Sequence, residues 1–139
     1  PSSGAELQSE YFVPRDRAYE AILAVEKLRD HITPHLFITE LRTIDADQLW
    51  MSTCYQRPAM TIHFTWKPEW PAVKNVLPMI EKQLAPFDAR PHWAKLFTMP
   101  PARLQGLYAK LPDYKALLNH YDPQGKFRNA YLDRNIFGS

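Results

Sequence analysis

Ala59-Met60-Thr61-Ile62-His63-Phe64-Thr65-Trp66 alternates apolar and polar side chains from Met60 onward. Successive side chains of an extended strand point to opposite faces. Met60, Ile62, Phe64 and Trp66 therefore share one face, and Thr61, His63 and Thr65 share the other. The stretch predicts a half-buried strand whose apolar face packs on helices. Its polar face is expected to lie uncovered by this chain.

Working outward, residues 8–14 (QSEYFVP) read as a strand that stops at Pro14. Asp16 can cap a helix in which Ala18, Ala21, Ile22, Val25 and Leu28 follow helical spacing. A second strand covers 35–44, and an irregular stretch, DADQLWMSTCYQRP, leads into 59–66. Pro71 suits the first turn of a second helix, with Val73, Val76, Leu77, Ile80 and Leu84 as its buried stripe. Pro78 inside it predicts a kink or an early break. Residues 89–97 read as a fourth strand, and Pro100-Pro101 opens a helical region to about Tyr121. The tail, DPQGKFRNAYLDRNIFG, reads as turn and irregular structure. The order is β-α-β-β-α-β with a helical tail. It predicts an α+β, ferredoxin-like antiparallel sheet with helices on one face, in a single domain over residues 1–139.

A chain of 139 residues can bury a real core. Its 45% hydrophobic and 23% charged residues are ordinary for a globular protein. A net charge of +2 gives no electrostatic footprint for nucleic acid. No run of about 18 apolar residues occurs, so no membrane span is expected. The start, Pro1-Ser2-Ser3-Gly4, resembles a cut point more than a natural N-terminus. The single Cys54 excludes an internal disulfide, fits a reducing, cytoplasmic compartment, and reads as a small buried hydrophobe. Glycine is scarce, at 4 residues, and no GxGxxG or Walker pattern occurs. Neither familiar phosphate-cradling loop is therefore present.

Charged groups in hydrophobic strands cost free energy unless they face water, a partner or a ligand. Glu40 and Arg42 in HLFITELRTI, His63 and Thr65 in MTIHFTW, and Lys95 in PHWAKLF are such groups. Glu40 and Arg42, two apart, project side by side, on a face they are expected to share with Leu36 and Ile38. The plain reading of the pair is a surface ion pair of little energetic consequence. The functional reading adds His63, Thr65 and Lys95, which together suit a polyhydroxylated or anionic ligand. His92 and Lys95, three apart, would sit on opposite faces of a regular strand, and line one site only if the strand twists, bulges or ends there. His31, His35 and His120 take a structural or surface reading. His63 and His92 with Glu40 lack any tight metal-ligand spacing, so no metal is expected. The four Trp, seven Tyr and seven Phe read as core and interface.

ELRTI (40–44), IHFTW (62–66), RPHWAKLF (90–97) and YDPQGKFRNAYL (121–132) occur in an order that resembles the C-terminal substrate (cap) region of the aldonolactone and alditol oxidases. These are flavoenzymes of the vanillyl-alcohol-oxidase superfamily, and the RPHWAKLF stretch is most similar to bacterial alditol (xylitol) oxidases. The resemblance covers nearly the whole chain. It implies that a separate FAD-binding domain, missing from this chain, holds the cofactor while the present residues cover its ring. It implies that Glu40 and Arg42 hold the hydroxyls of a polyol and that Thr65 is a further hydroxyl contact. Lys95 would be the cation near the substrate oxygen and the pyrimidine end of the flavin, and His63 and His92 ring-side residues. Lys95, Arg42 and His63 are then the catalytic candidates, and His92 and Lys95 those that meet the cofactor. The reaction implied is hydride removal from a terminal CH–OH of an alditol such as xylitol or sorbitol, with oxygen reduced to hydrogen peroxide. The chain alone is expected to be inactive, because the flavin carries the redox chemistry. The tail motif is expected to pack on the FAD-binding domain.

Two neighbouring readings remain. An aldonolactone oxidase or dehydrogenase, acting on arabinono- or gulono-1,4-lactone, would use the same site logic on a cyclic substrate. A non-catalytic ferredoxin-like module for RNA or a small effector would need a basic sheet face, and Glu40 at its centre repels phosphate.

Overall fold

A computed structural model describes residues 4–138; of the Pro1–Gly4 start, only Gly4 lies within them. Four strands, β1 (Leu7–Pro14), β2 (Leu36–Ile44), β3 (Ala59–Trp66) and β4 (Arg90–Pro91), form one sheet in the order β2-β3-β1-β4. All neighbouring pairs are antiparallel. Between them lie α1 (Ala18–Glu26) with a short α2 (Arg29–Ile32), and α3 (Trp70–Leu84). The α+β, split βαβ arrangement expected from the strand order is the one observed. No described helix is long and apolar enough to cross a membrane.

The alternation in 59–66 fixes the layers. Met60, Ile62, Phe64 and Trp66 are buried with Tyr11 and Val13 of β1 against Ala21 and Val25 of α1 and the Val73, Val76, Leu77, Ile80 and Leu84 stripe of α3. The Phe64 and Trp66 rings stack with centroids 5.0 Å apart. The buried Trp66 indole N–H donates to Ser9 Oγ at 2.9 Å, which satisfies a donor that burial would otherwise orphan. Several local expectations need correction. Asp16 lies in a 3-10 turn, and no side chain caps α1. Pro78 neither breaks nor shortens α3, which runs unbroken from Trp70 to Leu84. Pro78 and Lys74 both face solvent, so the carbonyl that loses its N–H partner to the proline ring can bond water instead.

β2 begins with a bulge. Leu36 opposes Trp66 while Ile38 opposes Thr65, so the extra residue Phe37 flips the alternation. Leu36 therefore packs against the helix-side core and does not share a face with Glu40 and Arg42, as regular alternation had it. Ile38 remains on that face and is largely exposed.

The single helical region expected after Pro100 is two helices, α4 (Pro101–Gly106) and α5 (Leu111–Tyr121). They build a second small core from Met99, Leu104, Leu107, Tyr108, Leu111 and Ile136. The tail is more ordered than its composition suggests. Asp122 accepts from the Lys126 and Phe127 amides at 2.8 Å each, and Asn129 caps α6 (Ala130–Leu132) through the Leu132 amide.

Candidate active site

The face of the sheet opposite the helices carries the charges. Cross-strand register puts Glu40 and Glu10 on either side of His63, and Arg42 beside Thr61. Cross-strand neighbours on one face are close enough to interact directly. His63 Nδ1 lies 3.0 Å from Glu40 Oε2, and Arg42 Nη2 donates to the same oxygen at 2.8 Å. Arg42 Nη1 reaches Glu10 Oε1 at 3.5 Å. Lys95 Nζ donates to Glu10 Oε2 at 2.6 Å. Lys95, Glu10, Arg42 and Glu40 thus form one chain of alternating charge, with His63 in contact at its Glu40 end.

Lys95 reaches this face because the fourth strand is interrupted. Of the strand expected over 89–97, only Arg90–Pro91 forms a ladder. The His92 amide then bonds Glu10 O, and pairing resumes where the Leu96 amide bonds Gln8 O. Two residue steps on β1 are thus matched by four on its partner, and the surplus is a turn closed by Lys95 N–H to His92 O at 3.1 Å. His92 Nδ1 accepts the Ala94 amide within that turn. This is the interruption His92 and Lys95 require if both are to serve one site. The Trp93 indole donates to Met51 O and its carbonyl accepts from Tyr131 Oη, so the 45–58 loop and the tail brace the turn from two sides. Tyr121 and Phe127 of the same tail motif remain largely exposed.

The polar face is not bare, as the alternation alone implied. Glu10, Thr61 and His63 near its middle are 6%, 0% and 6% exposed, whereas the side chains of Glu40 and Arg42 are 44% and 45% exposed. The centre is a buried polar floor and the β2 side is its open rim. Thr65 lies on this face one alternation from His63, less buried than its neighbours. Beside the Lys95 turn lies a shallow depression of about 640 Å³ lined by Gln8, His92, Lys95 and Tyr131 among others, a size that suits a small ligand. A cavity of about 330 Å³ on the helix side has Glu81 in its wall. That carboxylate already accepts from Tyr11 Oη, the Thr98 amide and Thr98 Oγ1. It is a structural latch.

Electrostatics follow the geometry. Burial opposes ionisation of Glu10, but the Lys95 hydrogen bond and charge outweigh it, and Thr61 and His63 add to them, so its carboxyl is held below the usual range. The hydrogen bond from His63, with the charge of Arg42, lowers Glu40 as well. Burial and the nearby Lys95 cation push the His92 imidazole down, favouring its neutral form. Nδ1 of His63 cannot donate to Glu40 and accept from Arg42 at once; the contact to Glu40 is the shorter, so Nδ1 carries the proton. His63 Nε2 is buried and has no hydrogen-bond partner in the structure. Such a buried orphan needs an explanation. Cys54 is buried, and burial raises its thiol, which makes it a poor nucleophile.

The structure gathers Glu40, Arg42, His63 and Lys95 into one network, with Thr65 and His92 at its margins. The residue that strand reading passed over is Glu10, which joins Lys95 to the rest. The signal was present, since Glu10 in QSEYFVP is a charge in an apolar strand like Glu40 and Lys95.

Comparison with known proteins identifies the family. The family model described as D-arabinono-1,4-lactone oxidase matches residues 5–135. An alditol oxidase from a Streptomyces strain is 45% identical over 132 residues, 95% of this chain and 32% of that protein. An L-gulono-1,4-lactone dehydrogenase of Mycobacterium tuberculosis is 27% identical over 91% of this chain and 30% of its own length. An L-gulonolactone oxidase of Bos taurus is 23% identical over 92% of this chain and 30% of its own length. The chain spans about a third of the length of the curated relatives it matches. Together with its fold, the extent of the family match places this chain in the D-arabinono-1,4-lactone oxidase family.

Proposed function

We propose that this chain is the substrate-binding (cap) domain of an FAD-dependent alditol oxidase, and that the polar sheet face grips a polyol. The observation that carries this reading is the Lys95–Glu10–Arg42–Glu40–His63 network, floored by buried polar groups and open at Glu40 and Arg42. The 45% identity to an alditol oxidase favours an open polyol over a lactone. Xylitol and sorbitol are the substrates we assign, with arabinono- or gulono-1,4-lactone as the competing class.

The donor set fits the ring of a flavin and not its phosphates. Lys95 and Arg42 can meet the electron-rich edge of such a ring. With 4 glycines and no glycine-rich turn, this chain offers no familiar cradle for the pyrophosphate. We therefore assign the phosphates to an FAD-binding domain outside this chain. A bound flavin would supply the hydride acceptor for the alcohol carbon and hand two electrons to oxygen, with the hydroxyl proton released to solvent and the protons balanced in hydrogen peroxide.

The chain's own residues bind and polarise. Glu40 accepts hydrogen bonds from substrate hydroxyls, and its half-exposed carboxylate keeps an acceptor face toward solvent. Arg42 and Thr65 supply further hydroxyl contacts. Lys95 uses one of its three donors on Glu10, which leaves two for the substrate oxygen and the flavin edge. Its cation stabilises negative charge that develops on the reacting oxygen. His92 lines the ring side in its neutral form. The single buried thiol is compatible with cytoplasmic placement, which belongs to the same proposal.

The test is an assay of the full-length protein that carries this chain, following peroxide with xylitol, sorbitol and galactonolactone. Turnover of the alditols above the lactone supports the reading. A preference for lactone moves the protein to the aldonolactone class, and absence of both activities removes it.

A further inference from the structure

Glu10 is 6% exposed, a depth at which carboxylates occur only when paired. Both of its oxygens face cations: Oε2 takes Lys95 Nζ at 2.6 Å and Oε1 faces Arg42 Nη1 at 3.5 Å. It stands on β1, in the middle of the sheet, where backbone pairing on both sides holds it rigid. Lys95, by contrast, stands on a looped-out turn with no ladder of its own. A four-carbon side chain on such a turn has several rotatable bonds to fix. Its ammonium donates a hydrogen bond to Glu10 Oε2 at 2.6 Å. Even the turn's first amide is tied to this residue, through His92 N–H to Glu10 O at 2.9 Å.

We propose that Glu10 is the positioning residue of this site: it fixes the Lys95 ammonium in place from beneath and sets the distance between Lys95 and Arg42. The inference rests on the alditol oxidase reading above and deepens it. Glu10 touches neither substrate nor flavin in this account and acts through Lys95. Charge stabilisation by a cation depends on its position before the reaction begins. Misplacing a group by about 1 Å can cost on the order of a hundredfold. Loss of Glu10 should therefore lower kcat far more than it raises KM.

The test is a double-mutant cycle of the parent, Glu10→Gln, Lys95→Met and the double variant, each made as this chain and in the full-length oxidase. In the chain alone, urea midpoints are measured. Lys95→Met strands a buried carboxylate and should lower the midpoint, and Glu10→Gln in the Lys95→Met background should restore part of it. In the full-length oxidase, Glu10→Gln should lower kcat for xylitol by on the order of tenfold to a hundredfold with KM changed by about threefold or less. The double variant should turn over within about twofold of Lys95→Met. Glu10→Asp, which keeps the charge but shortens the reach, covers the case in which Glu10→Gln fails to fold, and should fall between parent and Glu10→Gln. Parental kcat in a folded Glu10→Gln or Glu10→Asp protein, or losses that multiply in the double variant, would overturn the role of Glu10 and leave the oxidase reading standing. A parent that oxidises no alditol sinks the oxidase reading, and the catalytic role with it, while the urea cycle still reports whether the Glu10–Lys95 pair forms.

Discussion

Glu40 and His63 sit opposite each other across the β2–β3 pairing, with His63 Nδ1 3.0 Å from Glu40 Oε2. One partner is half-exposed and the other almost wholly buried. The buried ring thus anchors the carboxylate that meets solvent, and the proton on Nδ1 leaves Nε2 as the unpartnered atom. A carboxylate so held is an acceptor of fixed direction, which suits recognition of hydroxyls better than a freely rotating side chain does.

Glu40→Gln keeps the shape and removes the charge. In the full-length oxidase it should raise KM for xylitol by on the order of tenfold, because hydrogen bonds to an ionised acceptor are the stronger kind. Steady-state kinetics read this directly. An unchanged KM would return Glu40 to the role of a plain partner for Arg42.

Acid should erase part of the stability that Glu10 contributes. Its folded pKa lies below the unfolded value of about 4.3, so the contribution is complete above that value and is lost as pH falls through the folded one. The difference in urea midpoint between the parent and Glu10→Gln should therefore shrink between about pH 7 and about pH 3. A constant difference across that range contradicts the sign.

His92 should titrate below the ordinary imidazole range, since burial first and Lys95 second disfavour its charged form, against the smaller pull of Glu10. Removing the neighbouring cation with Lys95→Met should move its midpoint upward. Histidine ring signals followed by NMR through a pH series would show it. No movement would place Lys95 outside the electrostatic reach of His92.

Tyr131→Phe removes the hydroxyl that donates to Trp93 O at 2.6 Å. The expected cost is about 1 kcal/mol of stability, the typical net worth of a single hydrogen bond. Amide exchange should quicken at Ala94 and Lys95 more than in β3. Equal exchange in both places would mean that the tail does not brace the turn.

The sheet was legible in the sequence because the alternation in 59–66 and the helical stripe of 73–84 state their faces plainly. Glu40, Arg42, His63 and Thr65 were legible for the same reason, each a polar group at a fixed phase of a strand. Lys95 was legible as a charge, but its reach to the site depended on an interruption after Pro91 that backbone pairing with Gln8 and Glu10 decides. Leu36 was misplaced because a bulge at Phe37 leaves no mark in an apolar run. Pro78 was overread because its effect depends on whether the orphaned carbonyl faces water, which spacing does not tell. The buried floor was hidden too, since the register that sets Glu10 beside His63 and the turn that brings Lys95 to it are tertiary facts.

The most direct measurement is a crystal structure of the full-length oxidase with xylitol bound. The account predicts the polyol against the polar sheet face, with hydroxyls on the Glu40 carboxylate and Arg42 and the terminal oxygen within hydrogen-bond reach of Lys95. Xylitol seated elsewhere, with Glu40, Arg42 and Lys95 still bonded only to one another and to Glu10 and His63, would contradict it.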